Sequence, residues 1–229
     1  MSIAVGEKER RAALVAAEAK ALALFNAIET NRLVIPGRTE REVEQDIYAL
    51  ALERFGVEKH WHKRIVRSGL NTLTTAGDNP PVRTIESGDT VYVDLGPVFE
   101  EWEADIGRTY LMGDAPDRLR LIVDLERIFH RGQAHFKASP DMTGAALYAY
   151  VQGLAEDAGW RFGGSIAGHV VGEFPHARLP GDKELNRISP RNPLPMSDPD
   201  GLGQPRHWIL EIHLVDRAGT YGGFYEQLL

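Results

Sequence analysis

Residues 90–111 read TVYVDLGPVFEEWEADIGRTYL, and this stretch limits the fold more than any other. Its two arms are rich in β-branched and aromatic residues, so it reads as a pair of antiparallel strands. Each arm carries an acid among apolar neighbours: Asp94 lies between Val93 and Leu95, and Asp105 between Ala104 and Ile106. A turn centred on the Phe99–Glu100 bond sets Asp94 directly opposite Asp105, on one side of the sheet. Like charges in that position destabilise a sheet, and burial removes the water that would solvate them. Two ionised carboxylates there need a cation or a shared proton. A β-bulge would break the strict opposition and could leave both acids on the same face.

The C-terminal segment repeats the pattern. HWILEIHLVD (207–216) and TYGGFYEQLL (220–229) read as two more strands. A hairpin centred on the Ala218–Gly219 bond sets Glu211 opposite Glu226, again within an apolar run. Between the hairpins, GHVVGEFPH (168–176) offers His169 and His176, and Gly168 and Gly172 permit close backbone approach. Oxygen-rich ligation with one imidazole suits Mn²⁺, Fe²⁺, Co²⁺ or Zn²⁺, and Mn²⁺ is placed first. Four carboxylates are balanced by two divalent ions, so the charge count favours a dinuclear site.

The rest of the chain reads as helices. Leu14, Ala17, Ala21, Phe25 and Ile28 share one face of a helix over 7–30. Thr39 and Glu42 form a capping-box pattern that opens a second helix to about Phe55. Pro116 starts a third helix to about Ala138, and Asp141 or Thr143 caps a fourth that ends at Gly159. Residues 61–69 look extended, 161–172 read as a strand, and 177–206 as a long surface loop. The order is helices, strands, helices, strands, which is an α+β pattern with antiparallel sheet and two halves of like order. A single domain over 1–229, with no separate N-terminal domain, is the expectation.

Composition removes several function classes. The chain has 33 acidic and 26 basic residues among 229, a formal charge of −7, which argues against nucleic acid as a partner. It has no Cys, so thiol catalysis, disulfides and Cys-built zinc sites are excluded. No apolar run is long enough to predict a membrane span, and no export signal is evident, so a cytoplasmic location is expected.

The order of these residues resembles the pita-bread metallopeptidases, a superfamily that includes methionine aminopeptidases, Xaa-Pro aminopeptidases, prolidases and creatinase. The stretches that carry the resemblance are SGLN (68–71), GDTVYVDLGPVFEEWEADIGRTYLMG (88–113), GHVVGEFPH (168–176), WILEIH (208–213) and GGFYEQ (222–227). The resemblance implies a pita-bread fold of curved antiparallel sheet covered by helices in pseudo-two-fold halves. It also implies that Asp94, Asp105, His169, Glu211 and Glu226 ligate two divalent metal ions, Asp105 and Glu226 bridging them. Glu211 would assist proton transfer, and His176 would contact the substrate. The implied activity is hydrolysis of an amide or peptide C–N bond, aminopeptidase-like, on a small peptide.

Several positions depart from the family pattern. Where a His usually follows the SG-x-N block, this chain has Thr75 or Ala76. Ser165 stands where Xaa-Pro enzymes commonly carry a His, Ile212 where Pro is usual, and Phe224 where Arg is usual. The metal-binding set is complete while the substrate-binding set is rewritten. His60 and His62, two apart on an expected strand, share a face and are candidates to replace the missing His. His213, two residues from Glu211, is a further candidate near substrate. Tyr92 and Trp102 are expected to pack in the core. A creatinase-like amidohydrolase or a lyase on the same scaffold is the first alternative function, and a non-catalytic binding module the second. The broad Ala/Leu face of the first helix could pack on its own sheet or in a homodimer.

Overall fold

The computed structural model describes residues 6–139 and 141–229. Among these residues there are four α-helices: α1 (Glu7–Thr30), α2 (Glu40–Phe55), α3 (Pro116–Ala138) and α4 (Gly144–Asp157). Local chemistry sets their ends. Glu7 and Glu9 sit at the positive end of the α1 dipole. The Thr39 hydroxyl accepts from the Glu42 N–H while the Glu42 carboxylate accepts from the Thr39 N–H, the capping box expected from sequence. Gly56, at φ 66°, closes α2 in a left-handed conformation. Pro116 takes the first turn of α3, and Thr143 rather than Asp141 caps α4 by accepting from the Ala146 N–H.

Ten strands follow in chain order: β1 (Lys59–His60), β2 (Ile65–Ser68), β3 (Thr90–Leu95), β4 (Pro97–Phe99), β5 (Trp102–Glu103), β6 (Ile106–Leu111), β7 (Arg161–Phe162), β8 (Val170–Val171), β9 (His207–Val215) and β10 (Gly222–Leu228). The main sheet has the order β2-β3-β6-β10-β9-β7, with β8 also on β9, and all its pairings are antiparallel. A small sheet has the order β1-β4-β5. The main sheet has two halves, β2-β3-β6 and β10-β9-β7 with β8, that meet at β6 and β10, and each half follows two helices. The like order of the two halves expected from sequence is therefore a feature of the fold.

Alternation along the strands gives the sheet two unlike faces. Val91, Val93 and Ile106 pack with Phe25, Ile28, Val43 and Ile47 of α1 and α2. Leu210, Ile212, Leu214 and Tyr225 pack with Leu121, Leu125, Phe129 and Val151 of α3 and α4. Each half thus has its own helix-covered core. The intervening residues, Asp94, Gly107, Glu211 and Glu226 among them, point to the opposite face.

The SGLN stretch has a structural role. Glu40, in the first turn of α2 and only 4 % exposed, accepts hydrogen bonds from the Ser68 N–H, the Ser68 hydroxyl, the Asn71 side chain and the Arg83 N–H. A buried carboxylate is tolerable when its lone pairs are filled in this way. The effect is to tie α2 to β2 and to the loop before β3.

Three expectations change. Residues 161–172 do not form one strand: β7 and β8 are two-residue pieces on either side of a glycine-containing loop. Residues 61–69 are extended only from Ile65, because the chain bends at Trp61 and His62 after β1. His60 and His62 therefore share no strand face. Among the described residues, no helix is long and apolar enough to cross a membrane.

Candidate metal centre and active site

Strand register assembles the acids. Asp94 on β3 pairs with Gly107 on β6, Gly107 pairs with Glu226 on β10, and Glu226 pairs with Glu211 on β9. One transverse row across four strands thus carries three carboxylates and one glycine, all on the face away from the helices. The Glu211–Glu226 opposition is the one expected from sequence. The Asp94–Asp105 opposition is not: Glu100 takes a positive φ of 60° in the turn, and Phe99 pairs with Trp102, which moves the hairpin centre on by one bond. That change shifts the register by two residues, and two is the period of a strand, so Asp105 stays on the same face. Gly107 has no side chain in the row, and the space is taken by Glu226 and the Phe224 ring.

His169 reaches the acids through Gly168. Gly168 has φ 130°, and a Cβ there would overlap the carbonyl oxygen of Ile209. Flanking bonds from the Ile209 N–H to His169 and from the Glu211 N–H to Ala167 hold the segment against β9. The His169 Nδ1 lies 2.7 Å from the Val170 carbonyl oxygen, which can only accept, so Nδ1 carries the proton. Nε2 then faces Asp105 Oδ2 at 3.0 Å and Glu211 Oε1 at 3.6 Å. His62 lies on the other side of Asp105, with Nε2 3.2 Å from Asp105 Oδ1 and 3.4 Å from Asp94 Oδ1.

The electrostatics are those of a site that calls for positive charge. Asp94, Asp105 and Glu226 are each 6 % exposed or less. Burial lifts Asp94 to about 6 and Glu211 to about 7. Burial, then repulsion from Asp105 and Asp94, raises Glu226 well above the usual carboxylate range. Asp105 alone is lowered: burial works against its ionisation, and hydrogen bonds with His169 and His62 outweigh it. Burial opposes protonation of His169 and His62 too, yet their carboxylate neighbours push both up to about 9. Asp94 Oδ1 and Glu226 Oε1 are buried and take no hydrogen bond. The residues therefore fit a metal centre: four carboxylates converge, oxygens are left over, and His169 has the tautomer that metal-bound imidazoles adopt, its Nδ1–H tied to a carbonyl.

The carboxylates line a cavity of about 380 Å³ whose wall includes Trp61, Ile65, Thr75, Ala76, Tyr92, Ser165, His213 and Phe224. The positions that depart from the family pattern, Thr75, Ala76, Ser165 and Phe224, are thus wall positions, whereas Ile212 is in the core. Tyr92 is buried as expected and also lines the cavity, its hydroxyl donating to the Thr74 carbonyl. Trp102 packs with the core as expected. His213 lines the cavity through a ring whose Nε2–H donates to the Thr72 carbonyl at 2.8 Å. Burial lowers its pKa, which keeps it neutral. His60 lies apart, beside the Tyr48 ring.

His176 is stacked on His169, with ring centroids 5.3 Å apart, and lines an adjoining cavity of about 230 Å³. Its Nδ1 lies 2.5 Å from Glu103 Oε2, and its N–H donates to Glu103 Oε1. Glu103 is 1 % exposed and was not singled out from sequence. Nor was Trp61, whose ring lies edge-on to His62, His169 and His176 at 4.4–5.0 Å. Neither has a local signature: Glu103 is one of five acids in the first hairpin, and only the folded register sets it under His176.

A pseudo-two-fold antiparallel sheet with acids converging on its open face defines the pita-bread class of metallohydrolase folds. Comparison with known proteins narrows this. The chain belongs to metallopeptidase family M24, whose model matches residues 7–194. The match stops short of Glu211 and Glu226, which enter the site by register. An Xaa-Pro dipeptidase of Lactobacillus delbrueckii subsp. lactis is 32 % identical over 146 residues, covering 61 % of this chain and 39 % of that one. An Xaa-Pro dipeptidase of Pyrococcus horikoshii is 28 % identical over 173 residues, covering 75 % of this chain and 48 % of that one. The chain thus spans less than half the length of these relatives. Among solved structures, an X-Pro aminopeptidase of Thermotoga maritima superposes with a TM-score of 0.73 at 21 % identity, over 97 % of this chain and 58 % of that one. A methionine aminopeptidase of Rickettsia prowazekii gives 0.70 at 15 % identity, over 99 % and 95 %.

Proposed function

We propose that this chain is a dinuclear metal-dependent peptidase of the aminopeptidase or Xaa-Pro dipeptidase type, acting on a small peptide. The observation that carries the reading is the transverse row Asp94–Gly107–Glu226–Glu211, with Asp105 and His169 closing over it. Asp94, Asp105, His169, Glu211 and Glu226 would hold two divalent ions, Mn²⁺ first among Mn²⁺, Co²⁺, Zn²⁺ and Fe²⁺. Such ions supply Lewis-acid polarisation of a carbonyl and a lowered pKa for water.

The protein groups supply the rest. Glu211 is the acid of the row most open to the cavity, with 17 % of its side chain exposed. That exposure leaves its carboxylate within reach of water, so it is placed to take a proton there and return it to the leaving amine. His176 has its Nδ1 committed to Glu103, so Nε2 is the nitrogen left to face a substrate. Tyr92, Phe224 and Ile65 give the cavity apolar walls, which exclude water from the reacting bond. A volume of about 380 Å³ suits a di- or tripeptide rather than a folded chain.

The test is metal analysis followed by a peptide panel. The chain should take up to two divalent ions, and the loaded protein should turn over N-terminal dipeptides from a set that includes Xaa-Pro and Met-Xaa. Asp105→Asn should lose metal and activity together. A chain that cannot be loaded with Mn²⁺, Co²⁺ or Zn²⁺ overturns the reading; a loaded chain inert on every peptide points to a non-peptidase amide substrate.

A further inference from the structure

His62 is not among the five residues that the family resemblance assigns to the metal pair, yet it is placed as His169 is. Its Nδ1 lies 2.6 Å from the carbonyl oxygen of Lys63, the next residue, just as His169 Nδ1 meets the carbonyl of Val170. A carbonyl only accepts, so Nδ1 carries the proton in both rings and Nε2 is the ligating nitrogen. The two Nε2 atoms then address the two oxygens of one carboxylate: His169 faces Asp105 Oδ2, and His62 faces Asp105 Oδ1. His62 also faces Asp94 Oδ1 at 3.4 Å, an oxygen that is buried and takes no hydrogen bond. Ligand atoms of His62, Asp94 and Asp105 lie within 4.8 Å of one another, close enough to share one ion.

The surroundings hold the ring there. Trp61 packs its ring edge-on to His62 with centroids 4.4 Å apart. Gly96, just after β3, leaves the room: a Cβ at that position would overlap the His62 ring and the Trp61 indole nitrogen. His62 is 17 % exposed, and it lines the cavity that the four carboxylates line.

We infer that His62 is a sixth protein ligand of the metal pair, bound through Nε2 to the ion held by Asp94 and Asp105. This rests on the metal-centre reading above. With it, each ion would have one imidazole within reach, His169 on the Glu211 side and His62 on the Asp94 side, with Asp105 lying between the two rings. The competing role is an imidazolium that offsets carboxylate charge without touching metal.

The test uses Co²⁺ alone on the metal-free 229-residue chain, read by calorimetry and by proton NMR. A cobalt-bound imidazole whose Nδ1–H is held by a carbonyl gives a strongly shifted, exchangeable N–H resonance. The wild-type chain should bind two Co²⁺ and show two such resonances. His62→Ala should retain one, and should bind one of its two ions at least about 10-fold more weakly. Two ions bound with a single shifted imidazole in the wild type leaves the metal centre standing and overturns the role of His62. So does a His62→Ala chain with unchanged affinities and both resonances. No Co²⁺ uptake by the wild type overturns both. Because the wild-type spectrum decides on its own, poor folding of the variant does not remove the test.

Discussion

Gly168→Ala is the substitution whose effect follows most directly from the structure. Gly168 sits at φ 130°, where side-chain-bearing residues are strained, and its missing Cβ faces the Ile209 carbonyl oxygen on β9. Backbone strain of this kind costs about 1–3 kcal/mol. The clash is with backbone, so relief requires the 167–169 segment to move off β9. That movement breaks the bonds from Ile209 N–H to His169 and from Glu211 N–H to Ala167, each contributing about 1 kcal/mol. Together these give a loss of about 3–5 kcal/mol. With an m value of about 3 kcal/mol/M in urea, the unfolding midpoint should fall by roughly 1–2 M. The measurement is urea denaturation followed by circular dichroism, with chelator present so that metal binding does not add to stability. Gly172→Ala is the internal control: nothing lies within 4 Å of a Cβ there, so its midpoint should stay near wild type. A Gly168→Ala midpoint within about 0.3 M of wild type, under 1 kcal/mol at the m value above, would refute the argument that this glycine sets the approach of His169 to the acids.

Three further outcomes are expected. The metal-free chain should lose stability as pH rises from about 6 to 9, above the range in which the lowered pKa values of His60, His207 and His213 act in the opposite direction. Glu226, Glu211 and Asp94 have raised pKa values, to about 7 and 6 for the latter two, so they hold protons in the folded state that the unfolded chain has released. His169 and His62, raised to about 9, extend the fall above pH 6.5, and saturating Mn²⁺ should reverse it; thermal melts that rise with pH without metal would contradict this. Thr39→Ala removes the capping box of α2 and should cost about 1 kcal/mol, lowering Tm by about 2–4 °C in a scanning calorimeter. Glu103→Ala leaves the His176 ring and backbone N–H without their acceptor. It should cost about 2–3 kcal/mol and depress kcat on any peptide the chain cleaves, while Glu103→Gln keeps an acceptor and should recover most of the stability; equal stability of the two variants would remove the positioning role.

Much of the fold was legible because it depends on short-range chemistry. The helix limits followed from Thr39 with Glu42, from Pro116 and from Thr143, each acting within one turn of chain. The Glu211–Glu226 pairing followed from a short turn and a strand without bulges. The first hairpin was misplaced by two residues because the positive φ of Glu100 has no mark in sequence, and the acids kept their face only because the shift was even.

What the sequence determined by itself was periodicity: which residues lie on which face, hence four acids on the open side of a sheet and apolar residues on the helix side. What only the tertiary structure decided was everything that depends on loops between elements. Nothing local distinguishes His62 from His60, yet one enters the site and the other lies beside Tyr48. The same holds for Glu103 beneath His176 and for Trp61 among three imidazoles. The physical reason is that strand and helix periods propagate from residue to residue. The path of a bend such as Trp61–His62 is instead fixed by what it packs against, here Gly96 and residues more than a hundred positions away in sequence.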